Sequence, residues 1–149
     1  MNSARTPAQE VFAQARLVTD EQDYRLIRLP APAITPAAGV LAEIAAPFSA
    51  LIADRDEVTL VLPQAEWETF SARLPGIEEG GLYRLITFDA ALDPSLTGFL
   101  AIVSEVLAAA GVPILALSAF TRDHLFVPAD RFDTAWAALR AAQQPGSAS

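Results

Sequence analysis

The sequence YRLI stands at residues 24–27 and again at residues 83–86, and the stretch around each copy decides the fold. Two strand-like runs follow each copy, and a polar turn joins them, with Arg55-Asp56 in the first half and Arg122-Asp123 in the second. Each second run ends at a proline that opens an amphipathic segment. Such internal similarity indicates a repeated supersecondary unit. We therefore expect two small α+β units that pack as a pseudo-symmetric pair.

The composition excludes several classes of function. The chain has 149 residues, of which 52% are apolar, so it can bury one ordinary core or two small ones. Its formal net charge is -8 and no cluster of Lys and Arg is visible. Because nucleic acids and anionic membranes are bound through such clusters, we expect neither as a partner. The N-terminus lacks an apolar signal segment, which predicts a cytoplasmic location.

The residues that usually carry chemistry are scarce. The chain contains no cysteine and one histidine, which removes disulfides, thiolate zinc sites and cysteine nucleophiles. We expect no metal and no cofactor, since His124 has no second His or Cys with which to form a site. An enzyme would have to use carboxylates such as Asp89, Asp93 and Asp123. There is no phosphate-binding glycine loop and no nucleophile elbow, so we do not expect an enzyme.

Turn residues and periodicity divide the chain into four parts. We expect a flexible N-terminus at 1–14, a first unit at 15–78, a second unit at 79–142 and a disordered tail at 143–149. In the first unit, strands near residues 16–18 and 24–29 precede an extended connector formed by Pro30, Pro32 and Pro36. A weak helix at 37–45, a hairpin at 48–62 and a helix at 64–73 follow. The pairs Pro75-Gly76 and Gly80-Gly81 are expected to bracket the linker between the units.

The second unit has stronger signals. A strand at 82–88 precedes Asp93, which is expected to cap a helix that begins at Pro94 and ends at Gly111. A buried stripe is predicted on that helix at Leu96, Phe99, Leu100, Val103 and Leu107. Strands at 113–120 and 124–127 and a helix at 130–142 complete the unit. Residues 114–117 are apolar on both faces, which is typical of a strand at the centre of a sheet.

Three segments of the second half resemble an ACT domain. They are DPSLTGFL at 93–100, AAGVPI at 109–114 and SAFTRDHLFV at 118–127, the last being similar to small tandem-ACT proteins related to the CASTOR-type amino-acid sensors. The resemblance implies two ferredoxin-like βαββαβ subdomains with mostly antiparallel sheets and helices on one face. The tail has no room for the closing strand of the second unit, and the strand near residues 16–18 is a candidate for that place. The first half lacks the Asp-Pro…Thr-Gly entry, so a second equivalent pocket is not expected.

The resemblance also implies a regulatory module that binds a free amino acid between ACT units. The expected binding residues are Asp93, Leu96, Thr97, Gly98, Phe99, Ser118, Thr121 and Asp123. Backbone N–H groups at the start of the helix suit a ligand carboxylate, and the aspartates suit its ammonium group. Each residue also has a structural interpretation, Asp93 as a helix cap and Asp123 as a turn residue.

The low charge of residues 94–121 is compatible with an interface, so a homodimer is expected. The alternative function is a ligand-free scaffold of ferredoxin-like fold that binds another protein.

Overall fold

The computed structural model describes residues 3–44 and 47–144, and within them it confirms a mixed α+β fold. The strands are β1 Arg16–Val18, β2 Asp23–Pro30, β3 Ala50–Ala53, β4 Glu57–Pro63, β5 Glu78–Asp89, β6 Leu115–Ser118 and β7 Asp123–Pro128. The helices are α1 Pro7–Gln14, α2 Ile34–Glu43, α3 Gln64–Phe70, α4 Phe99–Ala109 and α5 Phe132–Gln143. Beyond Gln144, the predicted disordered tail lies outside the described residues.

The chain divides into two compact units. We call residues 20–84 the contiguous unit, and residues 1–19 together with 85–149 the split unit. In the contiguous unit the strand order is β3-β4-β2-β5, with β4 antiparallel to both β2 and β3. Its core includes Ile27, Leu60, Leu62 and Trp67, which come from two strands and α3. This order is that of a ferredoxin-like βαββαβ unit in which the first part of β5 is the closing strand.

The split unit closes its sheet with a strand from the far end of the sequence. Strand β1 pairs antiparallel with the last part of β5, Arg16 lying opposite Asp89, and β7 and β6 follow on the other side. Leu17 on β1 and Phe88 on β5 join a core that α4 and α5 complete with Val103 and Leu139. The predicted use of residues 16–18 as the closing strand agrees with this pairing.

The first correction concerns the N-terminus, which was predicted to be flexible but contains α1. Thr6 and Gln9 form a capping box, in which the Thr6 hydroxyl accepts from Gln9 N and the Gln9 side chain accepts from Thr6 N. Ala8 and Phe12 then bury one face of the helix in the core of the split unit. The backbone of the helix is held further by Gln143, whose Nε2 donates to the carbonyl of Phe12 at 2.9 Å.

Two predictions about linkers are also wrong. Residues 31–36 form a 3₁₀ turn and the first turn of α2 rather than an extended connector, because Pro36 lies where a helix needs no N–H donor. The weak helix predicted at 37–45 is therefore present as α2, but it begins earlier, at Ile34. The glycines at 80–81 lie inside β5 rather than in a loop. A Cβ at Gly80 would stand 3.1 Å from the carbonyl oxygen of Leu26 on the neighbouring strand, so this glycine permits close strand approach.

A further correction concerns β6, which was expected at the centre of a sheet. Within the described part of the chain it lies at an edge, and β7 is its one partner strand. Its residues are only partly buried, although they are apolar on both faces.

Candidate functional site

The loop before α4 differs from the predicted helix start. The helix begins at Phe99 rather than Pro94, and Gly98 is its N-cap with a φ of +92°. That left-handed conformation interrupts any helix that starts earlier, so Asp93 cannot be the cap. The first hydrogen bond of the helix runs from Ile102 N to the Gly98 carbonyl at 3.1 Å. Of the predicted stripe, Phe99, Val103 and Leu107 are buried, whereas Leu96 is partly buried and Leu100 is exposed.

Asp93 instead organises a turn. Its Oδ1 accepts from Ser95 N at 2.7 Å and from the Ser95 hydroxyl at 2.5 Å, while its carbonyl accepts from Leu96 N at 2.9 Å. The two bonds from Ser95 lower the pKa of the Asp93 carboxyl, because they stabilise its charged form. The Leu96 N–H, expected to face a ligand, is therefore already occupied.

The β6–β7 hairpin forms the opposite wall. Ser118 and Asp123 are cross-strand partners, and the Ser118 hydroxyl donates to Asp123 Oδ1 at 2.6 Å. Ala119 N donates to the Arg122 carbonyl at 2.9 Å and closes the turn. The Thr121 carbonyl accepts from Leu92 N at 2.9 Å, so the turn is attached to the loop before α4. These bonds fix the position of the hairpin relative to the start of α4.

A cavity of about 410 Å³ lies between these two segments and contains most of the predicted site. The predicted residues that line it are Asp93, Leu96, Gly98, Phe99, Ser118, Thr121 and Asp123. Thr97 does not line it. Thr97 instead lines a neighbouring cavity of about 760 Å³, which the first residues of α1 also line.

The cavity carries groups of both charges. The N–H groups of Phe99, Leu100 and Ala101 precede the first intrahelical bond of α4, so the positive end of the helix dipole lies at this wall. Across from them is the half-buried carboxylate of Asp123. Arg122 lines the cavity too, and its Nε lies 3.5 Å from Asp89. The arrangement suits a small molecule that has an anionic and a cationic end.

Sequence reasoning missed several residues of this cavity. Arg122 was interpreted only as a turn residue, and Phe120, Leu92 and Ala101 were not considered. Phe120 is 89% exposed at the tip of the hairpin. An aromatic residue inside an otherwise polar turn was the signal that could have marked it.

The remaining chemistry-bearing group nearby is His124. Its Nδ1 lies 2.9 Å from the Thr87 hydroxyl, and burial together with the Arg122 charge lowers the pKa of the imidazole. Among residues 3–44 and 47–144, no group of His, Asp and Glu side chains is arranged to hold a metal ion. No helix in the described residues has the length and apolar character needed to cross a membrane.

Residues 80–141, which include the cavity, match the sequence model of the ACT domain. No sequence among curated proteins matches the chain.

Solved structures of low sequence identity share the fold of the ACT domain and of the residues before it. A Vibrio cholerae protein of unknown function, a possible transport protein, has 20% identity and a TM-score of 0.71, with 91% of this chain and 95% of that one covered. An Agrobacterium tumefaciens protein has 21% identity and a TM-score of 0.62, with 87% and 89% covered. The regulatory subunit of aspartate kinase from Thermus thermophilus has 15% identity and a TM-score of 0.64, with 87% and 98% covered. At such identities the likeness concerns the ACT, ferredoxin-like fold alone.

Proposed function

We propose that this chain is a non-catalytic regulatory module that binds a free amino acid in the cavity at the start of α4, at an interface between ACT units of a homodimer. The observation that carries the proposal is the placement of one helix N-terminus and one half-buried carboxylate on opposite walls of the same cavity. The Thermus thermophilus relative is a regulatory subunit, which supports a regulatory rather than a catalytic role.

The anionic end of the ligand is assigned to the helix. The first N–H groups of α4, at Phe99, Leu100 and Ala101, supply hydrogen-bond donors and positive partial charge to a carboxylate. Gly98 lines the same cavity and adds no side chain to it. Arg122 on the facing turn adds a full positive charge at the same cavity.

The cationic end is assigned to Asp123. Ser118 already donates to one of its oxygens, and the carboxylate of an aspartate accepts several hydrogen bonds. An ammonium group near Asp123 would therefore gain a charge-assisted bond without displacing Ser118. The volume of about 410 Å³ lies within the range in which small ligands are held.

Regulation follows if the ligand binds one arrangement of the dimer better than another. A ligand that contacts two copies shifts the population toward the arrangement that holds it, and a partner protein can recognise that arrangement. The enzyme alternative has little support, since Asp93 and Asp123 are each hydrogen-bonded to a serine and the pKa of the Asp93 carboxyl is lowered rather than raised. The remaining alternative is the ligand-free scaffold.

The test is a thermal unfolding screen of the purified chain against the twenty amino acids. We expect one amino acid, or a few of similar shape, to raise the melting temperature, because a ligand that binds only the folded state stabilises it by about 2.7 kcal/mol at a concentration of about 100 times its Kd. Asp123→Asn should abolish the response. No shift with any amino acid would favour the scaffold.

The internal repeat supplies a matched control. Asp56 occupies the corresponding Arg-Asp turn of the contiguous unit and is exposed. Asp56→Asn makes the same change in charge and should leave the response intact. If both variants lose it equally, the effect is one of net charge and the site assignment is wrong.

A further inference from the structure

The two large apolar side chains that the split unit exposes line the same cavity. Leu100 is 39% exposed and Phe120 is 89% exposed, and no other large apolar side chain of the described residues in this unit is exposed. Leu100 belongs to the first turn of α4 and Phe120 to the tip of the β6–β7 hairpin, so they lie on facing walls. Single exposed apolar residues are ordinary on a protein surface, whereas two that meet at one cavity indicate a binding surface.

The geometry of the hairpin does not explain an aromatic residue at its tip. A backbone hydrogen bond between the flanking residues closes the turn around Phe120. The hairpin of the contiguous unit closes by the same kind of bond, from Asp54 N to the Glu57 carbonyl at 3.0 Å. The residue after Asp54 is Arg55, whose side chain is 93% exposed. A turn of this kind thus accepts the polar residues that are usual in turns, and the ring of Phe120 serves another purpose.

The part of the cavity that remains for the side chain of a ligand is mainly apolar. In the proposed function, the ligand carboxylate lies at the N–H groups of α4 and its ammonium group lies at Asp123. The lining residues outside these two positions include several with apolar side chains, namely Leu92, Pro94, Leu96, Leu100 and Phe120. An apolar side chain gains free energy when such residues remove it from water, whereas a charged side chain loses its hydration there.

The charged residues of the cavity do not favour a charged ligand side chain. Asp93 is the carboxylate left after Asp123 is assigned to the ammonium group, and its Oδ1 already accepts two hydrogen bonds from Ser95. Arg122 lines the same cavity and would repel a basic side chain. An acidic side chain would be repelled by Asp93 in the same way. The charges therefore disfavour both signs, and the apolar wall remains as the attractive surface.

We propose that the ligand is an amino acid with a large apolar side chain, such as leucine or phenylalanine, which Phe120 and Leu100 select by packing against it from facing walls. The inference rests on the proposed function and names the class of amino acid that the cavity takes. Phe120 contributes more than Leu100, because nearly all of its ring is exposed and can be covered by the ligand.

The test is isothermal titration calorimetry of the full chain with leucine, phenylalanine, alanine, lysine and glutamate. Leucine and phenylalanine should bind at least about tenfold more tightly than alanine, because each buried methylene is worth roughly fourfold in affinity. Lysine and glutamate should bind more weakly than leucine. The heat-capacity change of binding should be more negative for leucine than for alanine, since that change reports the burial of apolar surface.

Variants of Phe120 separate the side chain of the ligand from its charged ends. Phe120→Ala should weaken the binding of leucine by about tenfold and leave that of alanine unchanged, because alanine has too short a side chain to reach the ring. Phe120→Glu should raise the affinity for lysine relative to leucine. The matched control is Ile52→Ala on β3, which removes an apolar side chain that is 46% exposed and does not line the cavity. This variant should bind all five amino acids as the native chain does. Circular dichroism verifies that each variant is folded.

The outcomes distinguish this inference from the proposed function. Preferred binding of lysine, glutamate or alanine that is lost in Asp123→Asn overturns the apolar class and leaves the proposed function standing. Leucine binding that Phe120→Ala does not weaken, or that Ile52→Ala weakens equally, overturns the role of Phe120. A change in the mass of Phe120→Ala in solution, with an unchanged ratio of leucine to alanine affinity, assigns the ring to a protein contact and also overturns the inference. If none of the twenty amino acids binds, both the proposed function and this inference are wrong.

Discussion

At the scale of single residues, two glycines of this chain have opposite effects on stability. Gly98 adopts a φ of +92° at the N-cap of α4, a conformation in which a side chain is strained. Gly39 lies inside α2, where a Cβ would meet nothing within 4 Å. The first glycine is needed for the backbone geometry of the cavity, whereas the second only adds conformational entropy to the unfolded chain.

We therefore expect Gly98→Ala to lower the free energy of unfolding by about 1–2 kcal/mol, the usual strain of a left-handed alanine. Gly39→Ala should raise it by about 0.5–1 kcal/mol. Urea titration followed by circular dichroism measures both. Equal effects of the two substitutions would contradict the assigned conformation of Gly98.

At the scale of elements, the strands were more predictable than the loops. The predicted positions of α5 and of the strands of both hairpins lie close to the observed ones, because apolar periodicity and turn residues agree there. The start of α4 was wrong because Asp93-Pro94 carries a helix-start signal that the left-handed Gly98 overrides. For α1, the sequence contains the capping pair Thr6 and Gln9. The alanine-rich composition of the segment nevertheless led to the prediction of a flexible N-terminus.

The candidate site was predictable in part for the same reason. The residues of the hairpin and of the loop before α4 meet in one cavity, because antiparallel pairing of β6 with β7 sets the position of their turn. Thr97 was wrongly predicted to line this cavity, because α4 was predicted to begin earlier than it does. Which N–H groups stay unpaired depends on where the helix begins, and no local pattern gave that residue.

Helix α1 provides a test of the corrected N-terminus. Phe12 is 4% exposed, and its ring centroid lies 6.3 Å from that of Phe88 and 6.4 Å from that of Phe99. Phe12→Ala should therefore lower the free energy of unfolding by about 3–5 kcal/mol, as for other buried aromatic residues. The neighbouring Val11 is only partly buried, so Val11→Ala should cost clearly less. The measurement is a urea titration. A negligible effect of Phe12→Ala would contradict the packing of α1 and support the original prediction of a flexible N-terminus.

At the scale of the whole molecule, His124 sets a dependence of stability on pH. Burial, with a smaller contribution from Arg122, lowers the pKa of its imidazole below the ordinary value of 6.5. The unfolded chain then binds the proton at a higher pH than the folded chain does. Stability is complete above about pH 6.5 and is lost as the pH falls from there toward the pKa of the folded state.

The measurement is the free energy of unfolding from about pH 8 to about pH 5, the range in which histidine titrates. His124→Asn should remove most of the slope. The carboxyls with lowered pKa, Glu43, Asp54 and Asp93, lose their contributions only at more acidic pH and do not interfere. An unchanged slope in His124→Asn would assign the pH dependence to other groups.

The division of the split unit has a consequence for how the protein is made. Strand β1 pairs with residues 87–89, and the backbone of α1 is held by Gln143. Residues 3–19 are therefore synthesised long before the segments that complete their sheet and core exist. The contiguous unit, by contrast, consists of one unbroken stretch and can fold as soon as residue 84 has left the ribosome. Vectorial synthesis should thus fold the middle of the chain first, while the N-terminal segment waits with Phe12 and Leu17 exposed, and a chaperone that binds short apolar segments would find its target there.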